Sequence, residues 1–233
     1  MSDFNRGLRA GLPIVLGYLP VSITFGMTAA SGGLPPLAAV VMSATNLTSA
    51  GQFAGSELIL SAASLVELIF TMLVINFRYF FMSLSLSQKL APGFTTGQRM
   101  LFAFGVTDEV FGVASTAEGP LTFPYTAGLV LGPLLSWTGG TAIGAYCSGL
   151  LPDTLSRALG ITLYAMFIAI LIPNCQKSKK VFAVTAAAGI LGCVFYYLPP
   201  LSQLSSGWTI IIISVLVSAV AAALECRREG ARP

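Results

Sequence analysis

The chain reads as an all-α, polytopic integral membrane helix bundle of about eight helical segments, two of them broken or re-entrant. Three observations predict this. Hydrophobic residues make up 55% of the sequence and charged ones only 9%, where a soluble domain carries about a quarter charged residues. Lys and Arg collect between hydrophobic runs of membrane-spanning length. Two of those runs are interrupted by polar residues that lipid cannot solvate. With a mean hydropathy of +0.83, this chain cannot cover a water-facing surface with polar groups.

The runs fall at 11–30, 34–60, 64–87, 99–117, 122–150, 156–174, 180–198 and 207–225. A helix needs about 20 apolar residues to cross a bilayer. Arg6 and Arg9 precede the first run, which is long and lacks a small-residue cleavage site, so it reads as a retained span. Pro20, after Gly17-Tyr18-Leu19, predicts a kink there. The run 34–60 opens apolar from Pro35 to Met42, turns small and polar from Ser43 to Gln52, and is broken again by Glu57. That pattern predicts a discontinuous helix or a re-entrant hairpin. The run 64–87 reads as a full span carrying Glu67 and Asn76-Phe77-Arg78. The run 99–117 is short and interrupted at Thr107-Asp108-Glu109. In 122–150, Gly128 and Gly132 lie four apart, as do Gly140 and Gly144, which suits close helix packing. Tyr196-Tyr197 read as interfacial anchors, and Trp137 either as another or as a deeper residue. The last three runs read as plain spans.

Basic residues set the expected orientation. Arg6 and Arg9, Lys89 and Arg99, Lys177, Lys179 and Lys180, and Arg227, Arg228 and Arg232 all belong on the cytoplasmic side. Six full crossings plus two re-entrant segments, 34–60 and 99–117, satisfy every group. Eight simple spans would place Lys89 and Arg99 outside. Both counts leave the N-terminus and C-terminus cytoplasmic. In the first count the two broken segments enter from opposite sides, the pattern of an inverted repeat with a site at the midplane. No linker divides the chain, so residues 1–233 read as one transmembrane domain.

Composition also narrows function. No basic block suits a nucleic acid partner. There is no histidine, and Cys147, Cys175, Cys193 and Cys226 show neither CxxC nor metal-type spacing, so they read as apolar filler. Without histidine no Ser-His-Asp arrangement forms, and neither a glycine-rich phosphate loop nor HExxH occurs. The expectation is a non-enzyme with no catalytic residue, metal or cofactor. With no ATP-binding motif, any transport is driven by an ion gradient or by the substrate's own gradient.

The buried polar set points to a small polar solute. Ser43, Thr45, Asn46, Thr48, Ser49 and Gln52 supply hydroxyls and amides around Gly51. A helix broken here exposes N–H groups at one helix start, which suit a carboxylate, and carbonyls at another helix end, which suit an ammonium. A zwitterionic amino acid needs both. The alternative is a polar seam between helices. Phe53 and Phe111 follow the two polar motifs and either wall an apolar side-chain pocket or pack in the core. Arg78 lies nine residues before Ser87, roughly 13 Å along a helix, so it either snorkels to the headgroups or lines a pathway. Glu67 is about 16 Å away on the same helix and cannot pair with it. Asp108 and Glu109 point about 100° apart on a helix, so one can pair with Arg78 while the other faces a cavity. The alternative is that Asp108 caps a short helix. Glu57 and Glu67 read as acids that reach water toward the outer side.

Taken in order, Gly17-Tyr18-Leu19-Pro20 with Phe25-Gly26, Ser49-Ala50-Gly51-Gln52-Phe53, Asn76-Phe77-Arg78 and Thr107-Asp108-Glu109 resemble the AzlC-type branched-chain amino acid permeases. The resemblance covers most of residues 6–175. It implies a bacterial inner-membrane exporter of valine, leucine and isoleucine, with methionine in some members. It also implies a small hydrophobic AzlD-type partner in the lipid bilayer. The position after the arginine is often histidine in that family, and here it is Tyr79. The expected substrate contacts are Asn46, Thr48, Ser49, Gly51, Gln52, Phe53 and Phe111. The expected charged switch is Asn76, Arg78, Thr107, Asp108 and Glu109. The rival readings are a narrow channel for a small ion or weak acid, and a non-transporting membrane scaffold.

Overall fold

The computed structural model describes residues 2–150 and 178–230, with 161, 165, 168, 171, 172, 175 and 176 between them. Nine α-helices and no strand occur among these residues. They are α1 (Asp3–Ser31), α2 (Pro36–Thr45), α3 (Ser49–Leu60), α4 (Leu65–Ser87), α5 (Thr96–Phe104), α6 (Asp108–Thr116), α7 (Phe123–Cys147), α8 (Lys179–Tyr197) and α9 (Ser206–Gly230). The all-α membrane architecture expected from the sequence is what forms. Helices α1, α4, α8 and residues 206–224 of α9 are long and apolar enough to cross a membrane. Helix α7 is as long, but its glycines and threonines dilute its hydropathy, as suits a helix packed on protein. The expected span 156–174 and Lys177 lie almost wholly outside the described residues. The chain forms two compact units, Met1–Leu60 with Ile75–Tyr164, and Ser61–Val74 with Ala165–Pro233.

In the first unit α1 and α7 touch backbone to backbone. A Cβ on Gly7 would lie 2.0 Å from the Tyr125 carbonyl oxygen, on Gly26 2.2 Å from that of Thr141, on Gly128 2.2 Å from that of Phe4, and on Gly144 2.0 Å from that of Ile23. Only hydrogen fits at those positions. Both glycine pairs expected to pack, 128/132 and 140/144, face α1. In lipid such close contact gains dispersion energy that larger residues would forfeit. Pro13 and Pro20 lie inside α1, and the helix runs on through both.

The two broken runs are hairpins of half-length helices. Helices α2 and α3, at 10 and 12 residues, and α5 and α6, at 9 each, reach only about 14–18 Å at the helical rise. The hydrocarbon core is about 30 Å thick. Each hairpin returns to its starting end. Gly32, just after α1, lies against Leu60, the last residue of α3. Leu90 pairs with Leu121, and Lys89 Nζ donates to the carbonyls of Ala114 (3.2 Å), Ser115 (2.8 Å) and Ala117 beyond the second hairpin. Thr122 donates to Asp3 Oδ2 at 2.7 Å. The second hairpin therefore opens beside the start of α1, and the first beside its end. This excludes eight simple spans and gives the opposed arrangement that the positive charges favoured.

In the second unit α8 packs along α9 through Ala183, Ala187, Leu191, Leu216 and Val220, which line a shallow apolar groove. Glu67, expected to reach water, is instead buried, 5% exposed, and accepts from Ser205 just before α9. Tyr196 and Tyr197 are exposed, as anchors should be. For Trp137 the deeper alternative holds: it is 1% exposed and stands beside the midpoint of α7, because its indole nitrogen has a protein partner.

The glycine seam predicts a sharp contrast on one helix. Gly144→Ala should lower the thermal midpoint in detergent, because overpacking costs about 1–3 kcal/mol. Gly139→Ala meets nothing within 4 Å and should hold or raise it. Equal effects of the two would contradict the seam.

Candidate functional site

The first break lies at Asn46-Leu47-Thr48. Helix α2 begins with Pro at its first position, where the missing N–H costs nothing. It closes when Asn46 N–H donates to the Met42 carbonyl at 2.9 Å, with Asn46 in extended backbone (φ −143°). Leu47 is buried, and Thr48 Oγ1 donates to Asn46 Oδ1 at 2.8 Å. Helix α3 then starts at Ser49. Gly51 is needed for close approach: a Cβ there would lie 2.6 Å from Thr48 Oγ1 and 3.1 Å from Asn76 Oδ1. The Asn76 carboxamide of α4 thus rests against the first turn of α3, and its Oδ1 is buried with no donor.

Gln52 projects from α3 into a closed hydrogen-bond circuit. Trp137 Nε1 donates to Gln52 Oε1 at 2.6 Å, and Gln52 Nε2 donates to Ser43 Oγ at 2.7 Å. Ser43 and Thr141 hydroxyls meet at 2.7 Å, and Thr141 donates to the Trp137 carbonyl at 2.9 Å. Thr141 has spent its one proton, so Ser43 must donate to it. Every donor direction is then fixed, and the circuit begins and ends on Trp137. Gln52, Ser43 and Thr141 are each 0% exposed, where an unpaired polar group would cost about 1–3 kcal/mol.

The second break lies at Gly105-Val106-Thr107. Helix α5 starts with a capping box, Thr95 with Gln98, and stops at Gly105, where α7 allows no side chain: a Cβ would meet Val130 Cγ1 at 2.1 Å. Thr107 caps α6 by accepting from Val110 N–H at 3.3 Å. The alternative reading of Asp108 as that cap is therefore replaced: Asp108 and Glu109 occupy the first turn, where the helix dipole favours negative charge. The two carboxylates diverge. Asp108 Oδ2 lies 2.8 Å from Arg78 Nη1 of α4. Glu109 Oε2 accepts from Tyr18 Oη of α1 at 2.6 Å. Arg78 also donates to Tyr79 Oη at 3.2 Å and sits 5.0 Å from that ring's centroid. Its Nε is buried without a partner. Tyr79 therefore acts as a rest for the guanidinium.

The two breaks meet through one aromatic contact. The rings of Tyr18 and Trp137 stand edge to face, with centroids 5.0 Å apart. Tyr18 also lies 2.7 Å from Thr107 Oγ1. Both rings stand next to the midpoints of their helices. Asn46, Thr48, Ser49, Gly51, Gln52 and Asn76 gather at the first break, and Arg78, Thr107, Asp108 and Glu109 at the second. Phe53 packs edge-on against Phe25 at 5.2 Å, beside the core formed by Ala29, Leu34, Ala39 and Ala145. Phe111 is half-buried on α6. Tyr18, Trp137 and Thr141 escaped assignment to the site from sequence, although Tyr18 lies within a motif that stands out there; Ser43, read with the polar set, serves the Gln52 circuit.

These features define an integral helical membrane protein in which two half-length hairpins close on a polar centre. The chain belongs to the AzlC protein family, whose model matches residues 13–151, a span that holds both hairpins and α7. It is 29% identical over 211 residues to inner membrane protein YgaZ of Escherichia coli (strain K12), covering 88% of this chain and 86% of the relative. It is 34% identical over 188 residues to an uncharacterized membrane protein of Archaeoglobus fulgidus, covering 79% and 82%. It is 26% identical over 191 residues to the branched-chain amino acid transport protein AzlC of Bacillus subtilis (strain 168), covering 80% and 74%. No solved structure matches the chain.

The Arg78–Asp108 pair predicts a non-additive pattern. A fully buried pair loses about 3–5 kcal/mol when one partner is removed. Here the side chains are 38% and 22% exposed, so solvent screening reduces the loss to on the order of 1–3 kcal/mol. Arg78→Gln and Asp108→Asn should each lower the thermal midpoint more than the double variant does. Additive losses would show that the two charges do not depend on each other.

Proposed function

We propose that the protein is a secondary exporter of branched-chain amino acids in the bacterial inner membrane, with both termini cytoplasmic. Valine, leucine and isoleucine are the expected substrates, and methionine fits the same chemistry. The observation that carries this reading is the first break beside Asn76. The carbonyl end of α2 and the amide end of α3 open within three residues of each other, so one site offers acceptors to an ammonium and a positive helix end to a carboxylate. Asn76 Oδ1 adds a buried acceptor with no donor of its own. Asn46, Thr48, Ser49 and Gly51 would hold the substrate's polar end, with Gln52 fixing the first turn of α3. Phe53 and Phe111 would bound the apolar side chain.

The similarity to the branched-chain amino acid transport protein of Bacillus subtilis supports this substrate class. The opposed hairpins support alternating access, since each can move against the α1–α7 pair without crossing the membrane. Arg78, Asp108 and Glu109 would form the charged switch, exchanging partners as the hairpins move. A small hydrophobic AzlD-type membrane protein would complete the exporter.

Liposomes loaded with unlabelled valine test the proposal. Labelled valine should accumulate saturably by counterflow, and Arg78→Gln or Asp108→Asn should reduce the rate by at least about tenfold, the factor lost with one charged hydrogen bond. Conductance without counterflow would identify a channel instead, and neither signal from protein purified with its small partner would leave a scaffold. Full transport by both variants would remove the charged switch.

A further inference from the structure

We infer that Tyr18 is a positioning residue that couples the two breaks, passing the state of Glu109 on α6 to Trp137 on α7 and so to Gln52 on α3. The inference deepens the exporter reading and rests on it for its purpose, while the coupling itself rests on geometry.

The phenol has one proton and two neighbours, Thr107 Oγ1 at 2.7 Å and Glu109 Oε2 at 2.6 Å. Tyr18 donates its one proton to Glu109 Oε2, so the Thr107 hydroxyl donates back to Tyr18 Oη. Thr107 Oγ1 still accepts from Val110 N–H. The start of α6, its cap and its carboxylate are thus chained through a single oxygen of α1. Breaking the Glu109 bond frees the Tyr18 proton to turn to Thr107, and the phenol loses one of the two groups that hold it in place. That ring is 5% exposed and leans edge-on against Trp137, so it has no solvent space in which to move alone. Trp137 in turn holds the Gln52 carbonyl through its indole N–H, in a buried circuit that closes back on Trp137. A close-packed interior transmits such a shift because it has no voids to absorb it. The groups that face Tyr18 and Glu109 are Thr107 and Asp108 of the second break, Tyr79 of α4, and Trp137 of α7, with Arg78 behind Asp108 and Tyr79.

The chain has two tryptophans, Trp137 and Trp208, so Trp208→Phe leaves Trp137 as the sole indole reporter. Indole emission responds to the hydrogen bond at Nε1 and to the field of nearby groups. In this background and without substrate, Glu109→Gln should shift Trp137 emission, and Tyr18→Phe should abolish that shift. Asp108→Asn, whose bond is to Arg78, should leave emission unmoved. A Glu109→Gln shift that persists with Tyr18→Phe, or equal shifts from Asp108→Asn and Glu109→Gln, would overturn the coupling, since a through-space field would then explain both. The second comparison decides the matter even if Tyr18→Phe does not fold. In counterflow, Tyr18→Phe should lower valine turnover about tenfold with half-saturation changed less than about threefold. Unchanged turnover would count against the coupling. Should the wild type fail to exchange valine, the exporter reading falls, and the substrate-free emission cycle still judges Tyr18.

Discussion

The contact on which the rest depends is the glycine seam between α1 and α7. Hydrophobic attraction does not drive helices together in lipid, so these two meet where backbone can touch backbone. Gly7, Gly26, Gly128 and Gly144 make that contact at both ends of the pair. The result is a rigid post with a polar middle. A helix that breaks at membrane depth exposes carbonyls and amides that lipid cannot satisfy. Both breaks are tolerated because they lie against this post, with protein groups to meet them. Gly105 shows the same economy on the second hairpin, stopping α5 where Val130 leaves no room for a side chain.

The polar centre has two kinds of construction. Around Gln52 the hydrogen bonds form a closed, buried circuit through Trp137, Ser43 and Thr141, which ties α3 to α2 and α7. Around Glu109 and Arg78 the bonds involve charges, and each has a competing partner: Thr107 for Tyr18, Tyr79 for Arg78. The first arrangement fixes a position; the second permits exchange. Lys89 closes the far end of α6 on three carbonyls. On the proposed function, alternating access would use the polar end beside Gln52 as cradle and the Arg78–Asp108 pair with Glu109 as switch.

Much of this was legible in the sequence. Polar residues in a hydrophobic run have a large energetic consequence, so Ser43 to Gln52 and Thr107 to Glu109 announced the breaks. Glycines four apart announced the seam, and Arg78 announced the need for an acid from another segment, which Asp108 supplies. Positive charges between the runs favoured hairpins over simple spans. What was not legible depends on pairing across long sequence distances. Ser43 and Thr141 are 98 residues apart, and nothing local marks either for the other. Trp137 was open to an interface or to a deeper place, because an amphipathic ring suits either; only Gln52, brought to it by the fold, decides the matter. Glu67 carried the same ambiguity until Ser205 was placed beside it.

The most direct test is a cryo-electron microscopy structure of the wild-type protein in lipid nanodiscs with valine. The account predicts two hairpins broken at 46–48 and 105–107, with valine density against Thr48, Gly51 and Asn76 at the level of Tyr18 and Trp137. Valine bound elsewhere, or either segment running as an unbroken helix across the bilayer, would contradict it.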